Sequence, residues 1–281
     1  MTASPLLDTH THVACADTAT FPLRPTATGQ ASEWWRDGGT IDELFADMDA
    51  TGVRRVVAVQ AIGAYGYDCS CAADAVARNA DRAALVVAMD MTANDPADVL
   101  RALLAAPPSN ARIAGVRLFG VGSGDPSWLT DGRGAAVWSV AAEHRLTVVP
   151  CVLADRFADV RALIDHAPDA PVAVDHCGFP DMCSDDVDAN TRLLAELPQV
   201  HMKVSSYVLE AAEAADGDAA PSVERLVELF GADRLCWGSD HPQDQRHDYA
   251  GKVALAVRAA RTLSDAQRTD LFDATGARLF F

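Results

Sequence analysis

Residues 40–60, TIDELFADMDATGVRRVVAVQ, contain one complete helix-to-strand unit and decide the fold class. Thr40 and Glu43 form a capping-box pattern that predicts the start of an amphipathic helix, and Gly52 predicts its end. The segment Val53–Gln60 that follows is almost continuously apolar at its centre, which is typical of a parallel strand covered on both faces. This unit therefore predicts an α/β protein with a parallel sheet.

Similar strand-type segments recur along the chain, and nearly all of them are followed by a helix-type segment. The predicted strands are Leu6–His10, Val53–Gln60, Ala84–Asp90, Gly115–Phe119, Thr147–Val152, Pro171–His176, Val200–Ser206 and Leu235–Asp240. Such an alternation predicts a closed (β/α)8 TIM barrel, with residues 1–281 forming a single domain. An open doubly wound sheet is the rival, but no glycine-rich phosphate loop follows the first strand.

The charge balance restricts the partners of the protein. Acidic residues outnumber basic ones, 40 to 23, which gives a formal net charge of −17. Because binding to a phosphate backbone needs clustered Lys and Arg, we expect no nucleic-acid partner. No apolar run approaches the ~18 residues that span a bilayer, so we expect no membrane association. The composition leaves the oligomeric state open, including a homo-oligomer.

The start of the chain and the cysteines bear on the cellular compartment. The opening MTASPLLDTH lacks the basic and apolar regions of a signal peptide, which predicts a cytoplasmic protein. The 7 cysteines include no CxxC pair. We therefore expect reduced, mostly buried thiols rather than a disulfide framework.

The first strand ends in Asp8-Thr-His10-Thr-His12. Side chains two residues apart on a strand point the same way, so both imidazoles are expected to face the mouth of the barrel. Such a pair suits a divalent metal or an oxyanion. Asp8 lies on the same face and is expected to orient one of the rings.

The sixth and eighth strands also end in residues that can do chemistry. His176 follows Asp175 at the end of the sixth strand, and Asp240 stands at the end of the eighth, two residues after Gly238. Strand ends converge on one pocket in a barrel, so His10, His12, His176 and Asp240 are the candidate catalytic residues. Gly238 is expected to leave space below the carboxylate.

A metal site is one interpretation of these residues. A complete zinc site normally needs three protein ligands and a water, and His10, His12 and Asp240 offer three. One divalent metal such as zinc is therefore compatible with the sequence, and so is metal-independent catalysis.

Several other side chains are candidates for binding substrate. Arg117 ends an otherwise apolar strand, where a guanidinium forms a bidentate fork for a carboxylate. The alternative is an internal salt bridge to a strand-end acid such as Asp90. On the seventh strand, Ser206 and Tyr207 offer hydroxyl groups, as does Ser205, and nothing in the spacing selects one of them.

Two strand-to-helix connections are long, at residues 13–39 and 120–134. Long connections at this end of a barrel often carry lids and substrate loops. In the first of them, Trp34, Trp35 and Arg36 predict either an aromatic lid or a patch on the outer surface.

The whole chain resembles the amidohydrolase-related family, from DTHTH to the closing ATGARLF. The likeness is strongest to the branch that contains 2-pyrone-4,6-dicarboxylate hydrolases and sugar lactonases. It rests on FPLRP after strand one, VQAIGAYGYD around strand two, GVRLF at strand four, VDHCGFP at strand six and WGSDHP at strand eight.

The resemblance implies an enzyme that opens a small lactone, either an anionic one of the pyrone or muconolactone type or a sugar lactone. It implies that Asp240 is the general base that activates water, while the three histidines line the reaction centre. Arg117 and the region of Gln60 and Tyr65 are then expected to hold the carbonyl or carboxylate of the substrate. For Gln60 and Tyr65, ordinary loop packing is the alternative.

Two departures from the family pattern leave alternatives open. The fourth strand, GVRLF, lacks the lysine of two-metal members, and the fifth, TVVPCVLAD, lacks the histidine usual in metal-dependent decarboxylases. Cys151 and Asp155 are the residues there that offer a substitute ligand. A decarboxylase of the same family is therefore the second hypothesis, and a non-catalytic binding barrel is the third.

Overall fold

The computed structural model describes residues 5–25, 33–36, 38–122, 124–183 and 187–281. The strands are β1 (Leu6–Thr11), β2 (Val53–Val59), β3 (Ala83–Met89), β4 (Ile113–Phe119), β5 (Thr147–Cys151), β6 (Val172–Val174), β7 (Val200–Ser205) and β8 (Leu235–Gly238). Each one overlaps a predicted strand. The eight strands form one sheet in sequence order, and every neighbouring pair is parallel.

The two ends of this sheet meet beyond β8. The backbone N–H of Asp240 donates to the carbonyl of His10 at 2.8 Å, and that of His12 donates to the carbonyl of His241 at 2.7 Å. These bonds join the end of β8 to the end of β1. The predicted single (β/α)8 barrel is confirmed, and the open doubly wound alternative is wrong.

Helices surround the barrel. They are α1 (Ile41–Thr51), α2 (Ile62–Tyr65), α3 (Ser70–Ala77), α4 (Pro96–Ala105), α5 (Arg133–Glu143), α6 (Phe157–His166), α7 (Val187–Ala195), α8 (Ser206–Asp216), α9 (Ala220–Phe230), α10 (Tyr249–Ala259), α11 (Asp265–Thr269) and α12 (Thr275–Phe280). Among the described residues, we find no helix with the length and apolar character to cross a bilayer.

The local signals for α1 act as expected. The Thr40 side chain accepts from the Glu43 backbone N–H, while the Glu43 carboxylate accepts from the Thr40 backbone N–H at 2.9 Å. Gly52 ends the helix in the left-handed region, with φ 81°. These two ends fix the length of α1 and direct the chain into β2.

The C-terminal segment closes the amino-terminal end of the barrel. Phe280 of α12 is fully buried in an apolar cluster inside the barrel with Leu7, Val57 and Val149. The Thr147 hydroxyl donates to the carbonyl of Leu279 at 2.6 Å, which ties α12 to β5. With this end filled, the polar strand ends lie at the opposite, carboxyl-terminal end.

A disulfide joins the connection after β1 to α3. Cys15 and Cys71 are bonded, with Cα atoms 5.9 Å apart and a sequence separation of 56. The expectation that all cysteines are reduced is therefore wrong for this pair. Sequence spacing did not reveal it, because only the folded barrel brings these two segments together. The remaining cysteines are free thiols.

Candidate active site

A cavity of about 400 Å³ opens at the carboxyl ends of the strands. This volume lies in the usual range for small-molecule sites. Its wall is formed by His12, Arg117, Phe119, Val121, Gly122, Cys151, His176, Phe179, Met182, Tyr207, Asp240, Gln243, Asp244 and Arg246.

Asp240 lies between the two histidines of β1 and its extension. Its Oδ1 is 3.3 Å from His12 Nε2 and 3.7 Å from His10 Nε2. His12 Nδ1 is 2.9 Å from the carbonyl of Val59, which orients the ring so that Nε2 faces the carboxylate. The structure thus brings the first and eighth strand ends together as the alternation predicts.

Gly238 makes this close approach of β8 to β1 sterically feasible. A Cβ at Gly238 would lie 2.6 Å from His10 Cβ and 2.9 Å from the His10 backbone nitrogen. The expectation that Gly238 leaves space below Asp240 is therefore wrong, because His10 itself fills that space. Asp240 then turns into the site with a left-handed φ of 54°.

His176 enters the site from a turn rather than from a strand. β6 ends at Val174, and a 3-10 turn follows in which His176 has φ 51°. The His176 ring centre lies 4.8 Å from that of His10, and its Nδ1 is 2.7 Å from Ser205 Oγ. Ser205 on β7 thus positions the third histidine.

Arg117 is engaged in a buried ion cluster that sequence reasoning missed. Its Nε donates to Asp175 Oδ2 at 2.6 Å, and Lys203 Nζ lies 2.9 Å from Asp175 Oδ1. The expected alternative was a salt bridge to Asp90, and the partner is Asp175 instead. A lysine within the apolar strand 200–205, VHMKVS, was the signal that could have pointed to this cluster.

Asp8 supports the backbone rather than an imidazole. Its Oδ1 accepts from the backbone N–H groups of His10 at 3.1 Å and Ser239 at 2.8 Å, and its Oδ2 accepts from the Tyr249 hydroxyl at 3.1 Å. The expectation that Asp8 orients a ring is therefore wrong. The carboxylate instead fastens β8 to β1 directly below the site.

The electrostatic environment keeps Asp240 ionised and favours the neutral forms of His10 and His176. Burial alone raises the pKa of Asp240, but the hydrogen bond from His12 and the charges of His176 and His10 outweigh it and lower the pKa. Burial lowers the pKa of both His10 and His176. At neutral pH the site therefore holds a carboxylate that can accept a proton beside imidazoles that can donate hydrogen bonds.

The candidate substrate residues divide into two groups. Arg117 and Tyr207 line the cavity. The Gln60 amide instead donates to the carbonyls of Gly66 and Asp68, both at 2.9 Å, and the Tyr65 hydroxyl accepts from the Cys15 backbone N–H at 2.9 Å. Ser206 is fully buried and does not contribute to the cavity wall. The side chains of Gln60 and Tyr65 therefore hold loops.

Trp34 lies over His12, which lines the cavity. The two rings stack with their centres 6.3 Å apart, and the indole N–H donates to Gln243 Oε1 at 2.8 Å. Trp35 is also buried, whereas Arg36 is exposed and pairs with Glu33. Residues 26–32 and 37 of the same connection, and residue 123 of the second long connection, lie outside the described residues.

The site offers a donor set that a metal ion could use. The ligand atoms of His10, His12 and Asp240 lie within 4.8 Å of one another, and His10 Nε2 has no hydrogen-bond partner among the described residues. Three such ligands and a water suit zinc, provided that Nε2 of each ring carries a lone pair. An ion held there would polarise a substrate carbonyl as a Lewis acid. A second group of His10, Asp175 and His176 overlaps it.

The chain belongs to the amidohydrolase family, whose model matches residues 8–281. The predicted family is thereby confirmed. A curated relative, an L-fucono-1,5-lactonase from Burkholderia ambifaria, is 28% identical over 217 residues, which cover 72% of this chain and 73% of the relative.

Solved structures share the fold over nearly the full length. An amidohydrolase from Burkholderia multivorans with bound zinc has a TM-score of 0.75 and 21% identity, covering 98% of this chain and 99% of that one. A protein described as a probable 2-pyrone-4,6-dicarboxylic acid hydrolase from Acinetobacter baumannii, with citric acid bound, has a TM-score of 0.76 and 17% identity, covering 98% of each chain. At these identities the likeness concerns the fold.

Proposed function

We propose that this protein hydrolyses a small lactone by attack of a water molecule that Asp240 activates. The observation that carries the proposal is the position of the Asp240 carboxylate, 3.3 Å from His12 Nε2 and 3.7 Å from His10 Nε2 at the cavity floor. The lactonase among the relatives supports the same reaction class.

The chemistry follows from these positions. Asp240 accepts a proton from water while the water oxygen attacks the ring carbonyl carbon. A ring N–H of His176, which lines the cavity, donates a hydrogen bond to the oxyanion that develops on the carbonyl oxygen. The bond between that carbon and the ring oxygen then breaks, and the ring oxygen takes the proton from Asp240. The product is an open-chain hydroxy acid.

The charges of the cavity favour an uncharged, sugar-like lactone. Arg117 is paired with Asp175, and Arg246 is paired with Asp244 and Glu210. Both guanidinium groups are therefore already engaged by carboxylates of the protein. An anionic lactone of the pyrone type is the second candidate, and the place of Arg117 in the cavity wall favours it.

The decarboxylase hypothesis is not favoured. At the end of β5, the Cys151 sulfur accepts a hydrogen bond from Arg117 at 3.2 Å, and burial raises the pKa of its thiol to about 12. Arg117 thus occupies the sulfur atom that a metal would need. Asp155 does not line the cavity. Neither residue supplies the ligand that this chemistry would need at the fifth strand.

The charge and the cysteines bear on partners and compartment. With a formal net charge of −17, we propose an enzyme that acts without a nucleic-acid partner. The five free thiols support a cytoplasmic location, and the Cys15–Cys71 disulfide argues against it. A homo-oligomer remains compatible with the chain.

The test is a comparison of substrates. We expect kcat/KM for L-fucono-1,5-lactone and related aldonolactones to exceed that for 2-pyrone-4,6-dicarboxylate, measured as acid released per unit time. A higher kcat/KM for 2-pyrone-4,6-dicarboxylate would indicate instead that the substrate is an anionic lactone. Release of carbon dioxide from carboxylated substrates, without lactone hydrolysis, would contradict the proposal and support a decarboxylase.

A further inference from the structure

Lys203 is a fully buried charged residue on β7 that the proposed reaction does not use directly. Its Nζ lies 3.0 Å from His10 Nδ1 and 2.9 Å from Asp175 Oδ1. A buried ammonium costs free energy unless it is paired and hydrogen-bonded. The contacts of Lys203 therefore indicate what its charge does in the site.

The contact with His10 has a defined direction. A lysine ammonium has only donors, and its other contact is the Asp175 carboxylate at 2.9 Å. Lys203 must therefore donate to His10 Nδ1, which then carries a lone pair and no hydrogen. A neutral imidazole has one hydrogen, so that hydrogen must be on Nε2.

Asp175 offers a competing arrangement. Its Oδ1 lies 3.1 Å from the same His10 Nδ1 and would accept a hydrogen placed there. Within the part of the chain that the structure describes, however, Asp175 Oδ1 has no aligned hydrogen-bond partner, whereas the contact from Lys203 to the ring is aligned. A hydrogen on Nδ1 would also face the ammonium. The geometry thus favours the lone pair on Nδ1.

We propose that Lys203 is a positioning residue that holds the proton of His10 on Nε2. The resulting N–H faces Asp240 Oδ1, 3.7 Å away, on the carboxylate that lines the cavity. While His10 Nε2 carries this hydrogen, it has no lone pair with which to bind zinc. Lys203 therefore adapts the site to hydrogen bonding and opposes metal binding.

The role toward the substrate rests on the proposed lactone hydrolysis, whereas the position of the proton does not. The first experiment therefore measures zinc affinity. In Lys203→Met, Nδ1 is free to carry the hydrogen and donate to Asp175 Oδ1, which leaves a lone pair on Nε2. Changes next to a metal ligand commonly alter affinity by about 10–100-fold. We expect Lys203→Met to bind zinc tighter than the wild type by a factor in this range, in competition with a chromophoric chelator.

Lys252→Met is the matched control. Lys252 is also fully buried, but its Nζ donates to the backbone carbonyls of Asp240 and Asp244 and not to a ring. We expect no gain in zinc affinity from this change. Adding His12→Ala to Lys203→Met should abolish the gain, because the new affinity depends on the same ligands.

The second experiment determines the tautomer directly in the wild-type protein, so it does not depend on whether the variant folds. Nitrogen-15 NMR of labelled histidine side chains, with His10 assigned by its loss in His10→Gln, should show the hydrogen on Nε2. A hydrogen on Nδ1 in the wild type would overturn the proposal, as would a folded Lys203→Met that binds zinc no tighter. Neither measurement depends on turnover. A protein that is inactive on lactones would therefore refute the proposed function, whereas the position of the His10 hydrogen is tested separately by zinc binding and NMR.

Discussion

Arg117 and Asp175 form a buried ion pair between β4 and the turn after β6, with Arg117 Nε 2.6 Å from Asp175 Oδ2. Lys203 adds a second cation at the other carboxylate oxygen. Because this carboxylate pairs with two buried cations and also contacts His10, it organises the floor of the site. Its removal would leave buried charges without compensation.

We therefore predict that Asp175→Asn lowers the free energy of unfolding by about 3–5 kcal/mol, the usual cost of breaking a buried pair. Denaturant unfolding followed by circular dichroism measures this loss. Asp49→Asn is the control, because Asp49 pairs with Arg82 at the surface and such pairs contribute about 0–1 kcal/mol. A loss within 1 kcal/mol for Asp175→Asn would contradict the account of the cluster.

A methyl group at position 238 should displace β1 from β8. Since the added Cβ would lie 2.6 Å from His10 Cβ, we predict that Gly238→Ala destabilises the protein by about 1–3 kcal/mol and also reduces kcat/KM. Thermal unfolding and steady-state kinetics measure the two effects.

Gly217→Ala is the matched control for this change. Gly217 ends α8 with φ 76°, and a Cβ there meets nothing within 4 Å. We expect a loss of stability of about 1 kcal/mol from backbone strain, with kinetics unchanged. If Gly238→Ala behaved in the same way, the packing of β8 against His10 would not determine the site geometry.

Much of the fold and part of the site could be predicted from the sequence. The strands could be predicted because each is a short apolar segment between helix signals. Successive side chains of a strand point to opposite faces, which predicts the side chains that share a face. The convergence of His10, His12 and Asp240 followed from the rule that strand ends meet in a barrel. Local sequence patterns thus predict the strands and also the strand ends that carry the site residues.

The partners of these residues could not be predicted in the same way. Asp175 is adjacent to His176 in sequence, but its contact with Arg117 depends on how far β6 extends before the chain turns. Lys203 could have been flagged as a charge in an apolar strand, yet its partner depends on the distance across the barrel. For Gln60 the sequence leaves substrate binding and loop packing both open, and its amide holds a loop. Such contacts depend on distances between residues that are far apart in the sequence, and local sequence patterns do not contain this information.

The Cys15–Cys71 disulfide can be tested by counting the free thiols of the protein. We predict 5 free thiols of 7 cysteines in denaturant without reductant, and all 7 after reduction. Because the bond closes a long loop, Cys71→Ser should cost about 2–4 kcal/mol of stability, whereas Cys183→Ser, at a free thiol, should cost less. A count of seven free thiols in protein purified without reductant would contradict the bond, and would agree with the reduced cytoplasm expected from the sequence.

Glu210 on α8, which contacts Arg246 and His247, should make stability depend on pH. Burial and the hydrogen bond with Asp244 raise its pKa from 4.5 to about 7. Between these values the folded state binds more protons than the unfolded state, so this group's contribution to stability is present below about pH 4.5 and is lost as the pH rises through about 7.

We predict that Glu210→Gln weakens the fall in Tm between about pH 5 and about pH 8. Glu213→Gln on the same helix, which removes an exposed pair with Arg258, should leave that fall as it is in the wild type. An unchanged pH dependence of Tm in Glu210→Gln would show that this carboxyl does not titrate in that interval.

The most direct test is the kinetics of Asp240→Asn on the lactone that the wild-type protein hydrolyses fastest. Because the amide cannot accept a proton from water, we predict a loss in kcat/KM of about 10²–10⁴-fold in protein that circular dichroism shows to be folded. Asp248→Asn, at the exposed N-cap of α10, should keep its activity, since asparagine caps a helix equally well. If Asp240→Asn kept kcat/KM within a few-fold of the wild-type value, Asp240 would not be the base, and the proposed reaction would be contradicted.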